Sequence, residues 1–289
     1  MNFFHSLLLL FLLPLAVTAQ SVQIQDGAIL AEFSVSDSRK VYFSHGNLQY
    51  RASTKTWRFA EHQWDFVGTQ EHDDMGNFGG NVVGSDNVNA SKRYDGWIDL
   101  FGWGTSGYKG KKPYMTSMVA NDYGDDDNAE MNFDWGVYNK ISNGVDENKW
   151  RTLTHEEWDY LFYERPRFYD LYALGTVNDV KGLIVLPDNW SMLESPQFIH
   201  HGSYAENVYS VDEWLEMESK GAVFFPAAGC RAEGKIVNVT NDGFYWSKTT
   251  MGDGAMALAL DFDVVCEPGT ERCPKYYGLS VRLVQDVKK

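Results

Sequence analysis

Thiols, clustered carboxylates and a pair of imidazoles are the side chains of this sequence that could carry chemistry, and each set has a bland alternative. Cys266 and Cys273 flank EPGTER, in which Pro268-Gly269 signals a turn. A disulfide between them would close a short loop and contribute about 2.5 kcal/mol by restricting the unfolded chain. Cys230, in FFPAAGCRAEG, is the third cysteine; it reads either as a small buried hydrophobe or as a reactive thiol. The stretch NDYGDDDNAEMNFDWG holds Asp122, Asp125, Asp126, Asp127, Glu130 and Asp134. Calcium takes roughly six to eight oxygens, and Gly- and Asn-rich loops supply them, so Asp122, Asp125 and Asp127 are candidate ligands of a structural calcium ion. Their spacing departs from the D-x-D-x-D-G loop of an EF-hand, and the alternative is a solvated acidic loop. His200 and His201 are adjacent in SPQFIHHGSY, where neighbouring side chains diverge, and no H-x-x-x-H spacing accompanies them, which argues against zinc. There is no G-x-S-x-G elbow to present a nucleophilic serine.

Ten Trp and 16 Tyr form a further set. Exposed aromatic faces stack on sugars or anchor protein partners, whereas buried ones fill a core. Trp57, Trp64, Trp135, Trp158, Trp214 and Trp246 are expected inside. Trp103 and Tyr108 in GWGTSGYKG and Trp190 in PDNWS stand among turn residues, and they are the candidate ligand contacts.

These groups must be positioned by many short segments separated by Gly, Asn, Asp and Ser. Residues 31–36 (AEFSVS), 40–44 (KVYFS), 56–60 (TWRFA) and 64–68 (WDFVG) are rich in β-branched and aromatic residues and read as strands. Residues 69–148 read mostly as ordered loop. Two helices are signalled by capping boxes, Thr154 with Glu157 before Trp158, Leu161 and Phe162, and Ser210 with Glu213 before Trp214, Leu215 and Met217; Gly221 stops the second. In the closing YYGLSVRLV, residues 276–284, alternation places Leu279, Val281 and Leu283 on a buried face and Ser280 and Arg282 on the other. The fold class expected is α+β.

The first 19 residues, with an apolar run from Leu7 to Leu15 and small residues ending at Ala19, read as a secretory signal. Residues 20–39 then form an extension or edge strand, and residues 40–289 a single domain. No later stretch is apolar enough to cross a membrane. A net charge of -15 argues against nucleic acid and anionic membranes as partners, because phosphate contacts need clustered Lys and Arg.

Several blocks taken in order resemble a known family. WRTLTHEEWDYL (150–161) is similar to the R-L-P-T-E-A-E-W-E-Y-A helix of the formylglycine-generating, sulfatase-modifying proteins. FYWSKTT (244–250) followed by YGLSVRLV (277–284) resembles the closing YWSST and GFSVRCV of the related Fibrobacter succinogenes major paralogous domain, common in exported Bacteroidetes proteins. WIDLFGWGTSG, FDWGVYNKISNG, GLIVLPDNW and GAVFFPAAGCR extend the likeness over most of residues 40–285. The resemblance implies a C-type lectin-like core of short strands, two main short helices and long ordered loops. Catalytic relatives carry two thiols near the C-terminus that bind copper, and some bind structural calcium. The corresponding positions here are Gly278 and Leu283, neither of which ligates a metal.

The expected protein is therefore not an enzyme. It is an exported bacterial binding module, in the periplasm, at the cell surface or outside the cell, that uses loops to recognise a carbohydrate or a surface protein. The alternatives are a cryptic enzyme of the same family that uses Cys230, and a structural subunit of a surface assembly.

Overall fold

Both capping boxes form. Thr154 accepts from the Glu157 amide while Glu157 reaches back to the Thr154 amide, which starts α1 (His155–Asp159). Ser210 and Glu213 do the same for α2 (Val211–Glu218). After Asp159 the chain widens into a π-helical turn, Tyr160–Glu164, that buries Leu161 and Phe162 beside Trp158. On α2 the buried stripe is Trp214 and Met217; Leu215 faces solvent.

The computed structural model describes residues 24–67, 91–124, 131–144, 149–193, 196–232, 235–252 and 256–288. Residues 1–19, expected to be a secretory signal, lie outside them, as do residues 68–90. Among the described residues the architecture is α+β, with four sheets of three or four short strands, two two-stranded ribbons and few helices. No helix among these residues is long and apolar enough to cross a membrane.

The closing strand, Leu283–Asp286, is inserted between Lys40–Phe43 and Arg151–Thr152, and Phe33–Ser34 forms the sheet edge beyond Lys40–Phe43. The chain's end thus ties together its beginning and its middle. A second sheet has the order Val208–Tyr209, Tyr172–Val177, Val180–Val185, Val223–Pro226. A third is the meander Gly243–Thr250, Met256–Phe262, Gly269–Pro274. The fourth joins Leu48–Arg51 to Thr56–Phe59 on one side and Trp97–Ile98 on the other, all antiparallel. Residues 64–67 form no strand, contrary to the pattern expected of WDFVG; Trp64 instead joins a cluster with Trp190, Trp214 and Phe224.

Aromatic packing holds these elements together. Phe43 meets Phe225 edge-on at 5.5 Å, and Trp158 stacks on Phe162 at 6.2 Å. Such pairs add about 0.5–1.5 kcal/mol beyond the area they bury. A second core surrounds Trp57, Phe101, Trp135, Trp150, Trp246 and Leu283.

Candidate functional site

The approach to the closing strand is buried on both faces, not one. Leu279, Val281 and Leu283 are inside as expected, but Ser280 and Arg282 are equally inaccessible. Arg282 tolerates this because its guanidinium donates to Asn47 Oδ1 at 3.2 Å and Gln63 Oε1 at 2.7 Å. Gln63 in turn donates to Glu218 at 2.8 Å, so the burial penalty is shared by a network. Burial still pushes the Arg282 pKa down to about 10. Gly278 exchanges both backbone hydrogen bonds with Arg231, and a Cβ there would stand 2.7 Å from the Arg231 Cζ. The buried Arg231 donates to the carbonyls of Leu100 at 2.9 Å and Met115 at 3.2 Å. A glycine against an anchored guanidinium and a fully buried leucine do not fit copper.

The three cysteines are free and buried, which corrects the expected Cys266–Cys273 disulfide. Strand pairing explains the separation. Gly269 pairs with Asp261 and Cys273 with Ala257, which carries Cys273 roughly 13 Å up the strand from Gly269. Cys266 sits in the preceding turn at φ 59° and packs in the core of Tyr172, Leu174 and Phe262, while Cys273 belongs to the core that contains Cys230. Burial pushes the Cys230 and Cys273 thiols up to about 12 and Cys266 to about 11, leaving them protonated and poor nucleophiles.

The acidic stretch is divided among separate tasks. Asp134 is buried and accepts from the amides of Gly136 at 2.9 Å and Thr152 at 2.8 Å, capping the single turn Trp135–Tyr138. Burial raises its pKa against those hydrogen bonds. Asp122 is exposed and accepts from the Ser117 hydroxyl. Asp125 and Asp127 lie outside the described residues. No group of three His, Cys, Asp or Glu side chains among the described residues is arranged to hold a metal ion. His201, at φ 54°, stacks on Tyr169 at 3.9 Å and leans on Tyr172.

Two of the three aromatic candidates are inside, correcting the expectation of exposed contacts. Trp103 donates its Nε1 to the Ser247 carbonyl at 3.0 Å, with the Lys275 ammonium 5.0 Å from its ring. Trp190 is buried beside Trp214 in its core cluster. Turn residues here bend the chain over the core and direct the rings inward. Tyr108 is half-buried, edge-on at 5.3 Å to both Phe133 and Tyr138.

Nine of the ten tryptophans are buried, and Trp97 is the exception. It projects from the outer face of the fourth sheet. Leu48, Tyr50, Trp57, Phe59 and Ile98 point inward, so alternation sends Gln49, Arg51, Thr56, Arg58 and Trp97 to the other face. There the Arg51 guanidinium lies 4.4 Å and that of Arg58 3.9 Å from the Trp97 ring centroid. Arg58 also donates its Nε to Gln49 at 2.9 Å. Composition does not mark this cluster; the signal was the period-two pattern of LQYR and TWRF, whose polar positions converge once the hairpin closes.

Comparisons with family models, with curated proteins and with solved structures found no match.

Proposed function

We propose that this chain is a non-catalytic, exported binding module with a C-type lectin-like core, which recognises a carbohydrate or a surface protein. The observation that carries the reading is Trp97, the one tryptophan left at the surface, set among guanidinium and hydroxyl groups on a sheet whose other face is core. Indole and arginine are the side chains most enriched where binding energy concentrates. The buried, protonated thiols weigh against the cryptic-enzyme alternative, since a thiol titrating near 12 offers almost no thiolate at neutral pH. A glycan array and a pull-down from surface-protein extracts test the reading, with Trp97→Ser as the control. Capture that depends on Trp97 is expected; blanks in both assays over a wide concentration range would sink it.

A further inference from the structure

We propose that the outer face of the Leu48–Arg51, Thr56–Phe59, Trp97–Ile98 sheet binds an acidic saccharide, whose carboxylate or sulfate group is seated on Arg51 and Arg58. The inference rests on the binding reading above and names its ligand class.

The two guanidinium groups share one indole, so two like charges are held close together. Arg58 registers this: desolvation and then the charge of Arg51 lower its pKa. Among the described residues neither arginine has a carboxylate within ion-pair distance. Glu61 and then Asp65 act on Arg58 only through space, against those two effects, and Asp65 pairs with His62 at 3.1 Å while Asp95 accepts from the Ser53 hydroxyl at 2.6 Å. In a chain with 40 Asp and Glu against 25 Lys and Arg, a pair of arginines without an acid is an unexpected arrangement.

Stacking occupies the face of a guanidinium and leaves its in-plane N–H groups for a planar or tetrahedral oxyanion, which it grips in a two-pronged fork. Beside the pair stand the hydroxyls of Thr54 and Thr56, bonded to each other at 2.8 Å and accessible to a hydroxylated ligand. The protein's net charge of -15 selects against long polyanions and acidic proteins, which its field repels. A short saccharide with one or two acidic groups meets the local positive charge without that cost.

The test is titration calorimetry of the whole protein at low ionic strength with three probes: trigalacturonate, a sulfated dextran oligomer and the unsulfated dextran oligomer. At least one acidic probe is expected to bind about tenfold or more tightly than the neutral one, with affinity falling as salt is added. Binding of trigalacturonate alone identifies a carboxylate ligand, and of the sulfated oligomer alone a sulfate ligand. Arg51→Gln with Arg58→Gln should abolish the preference, while Arg51→Lys with Arg58→Lys, which keeps the charge but not the fork, should retain part of it. Thermal melts of both variants establish that they fold. Equal binding of the neutral oligomer, or unchanged affinity in the Gln variant, overturns the inference and leaves the binding reading intact. Capture of an acidic protein without saccharide binding overturns it likewise, and silence in every assay removes both.

Discussion

Arg282, just before the closing strand, and Arg58, within Thr56–Phe59, both lie over an aromatic ring, at 5.3 Å from Phe225 and 3.9 Å from Trp97, yet the fold uses them in opposite ways. Arg282 is sealed inside and its Nη1 and Nη2 donors meet Asn47, Gln63 and the His45 carbonyl. Arg165 and Arg231, equally buried, donate to the carbonyls of Leu186 and Leu100. In a molecule with little regular structure, buried guanidinium groups act as cross-links that satisfy carbonyls the sheets leave over. Arg51 and Arg58 cross-link nothing comparable. The difference separates arginines that the fold consumes from arginines that it displays.

The comparison is easiest to break at its buried end. Arg282→Met should cost about 3 kcal/mol or more, because it strips donors from Asn47 and Gln63 and removes the guanidinium charge that acts on Glu218 together with His45. Urea unfolding measures this, and a loss below about 1 kcal/mol would mean that the network is dispensable. Gly278→Ala comes next, at about 1–3 kcal/mol, since the new methyl group must displace an Arg231 side chain fixed by two carbonyls. If Gly278→Ala melts with the parent protein, Arg231 is not anchored as described.

How much of this was legible in the sequence follows the range of the interactions. Capping boxes are contained within four residues, and both helix starts at Thr154 and Ser210 were readable. The α+β class followed from strand-like and helix-like segments interleaved along the chain. Ser280 and Arg282 were misassigned to an exposed face, because alternation describes a two-faced sheet and says nothing of a second layer that brings Asn47 and Gln63 across. Trp103 and Trp190 were misplaced for a related reason: Gly and Asn reveal that the chain turns, not toward which side. Tyr108 alone of that set remains partly accessible. The Arg51, Arg58 and Trp97 cluster depends on pairing between strands more than 40 positions apart, which no local pattern encodes.

A smaller effect is expected at Asp261, the acidic counterpart of the arginine pair. Desolvation first, then Asp242, Asp263 and Glu271, raise its pKa to about 6, and its Oδ1 is buried with no hydrogen-bond partner among the described residues. Because the folded value exceeds the ordinary 3.8, the stability linked to Asp261 is fully present below the unfolded pKa. That contribution is lost as pH rises through about 6. Asp261→Asn keeps the neutral form at every pH. It should therefore melt higher than the parent at about pH 7.5 and together with it at about pH 4. Melting curves at the two pH values decide this, and an equal gain at both would remove like-charge crowding as the cause.

The surface arginines should show the least effect on stability, and their contrast with Asp261 explains why. A crowded carboxylate escapes by taking up a proton, but a guanidinium cannot discharge in the accessible pH range, so crowding at Arg51 and Arg58 persists. Removing one arginine forfeits a cation–π contact of about 0.5–1 kcal/mol and relieves a repulsion of similar size. Arg51→Gln and Arg58→Gln should each stay within about 0.5 kcal/mol of the parent, with the balance shifting toward destabilisation as salt screens the repulsion. A loss above about 1 kcal/mol at low salt would instead show that these side chains pack Trp97 for the fold's own sake. A variant that keeps its stability but loses its acidic ligand would place the two arginines with the groups the fold displays.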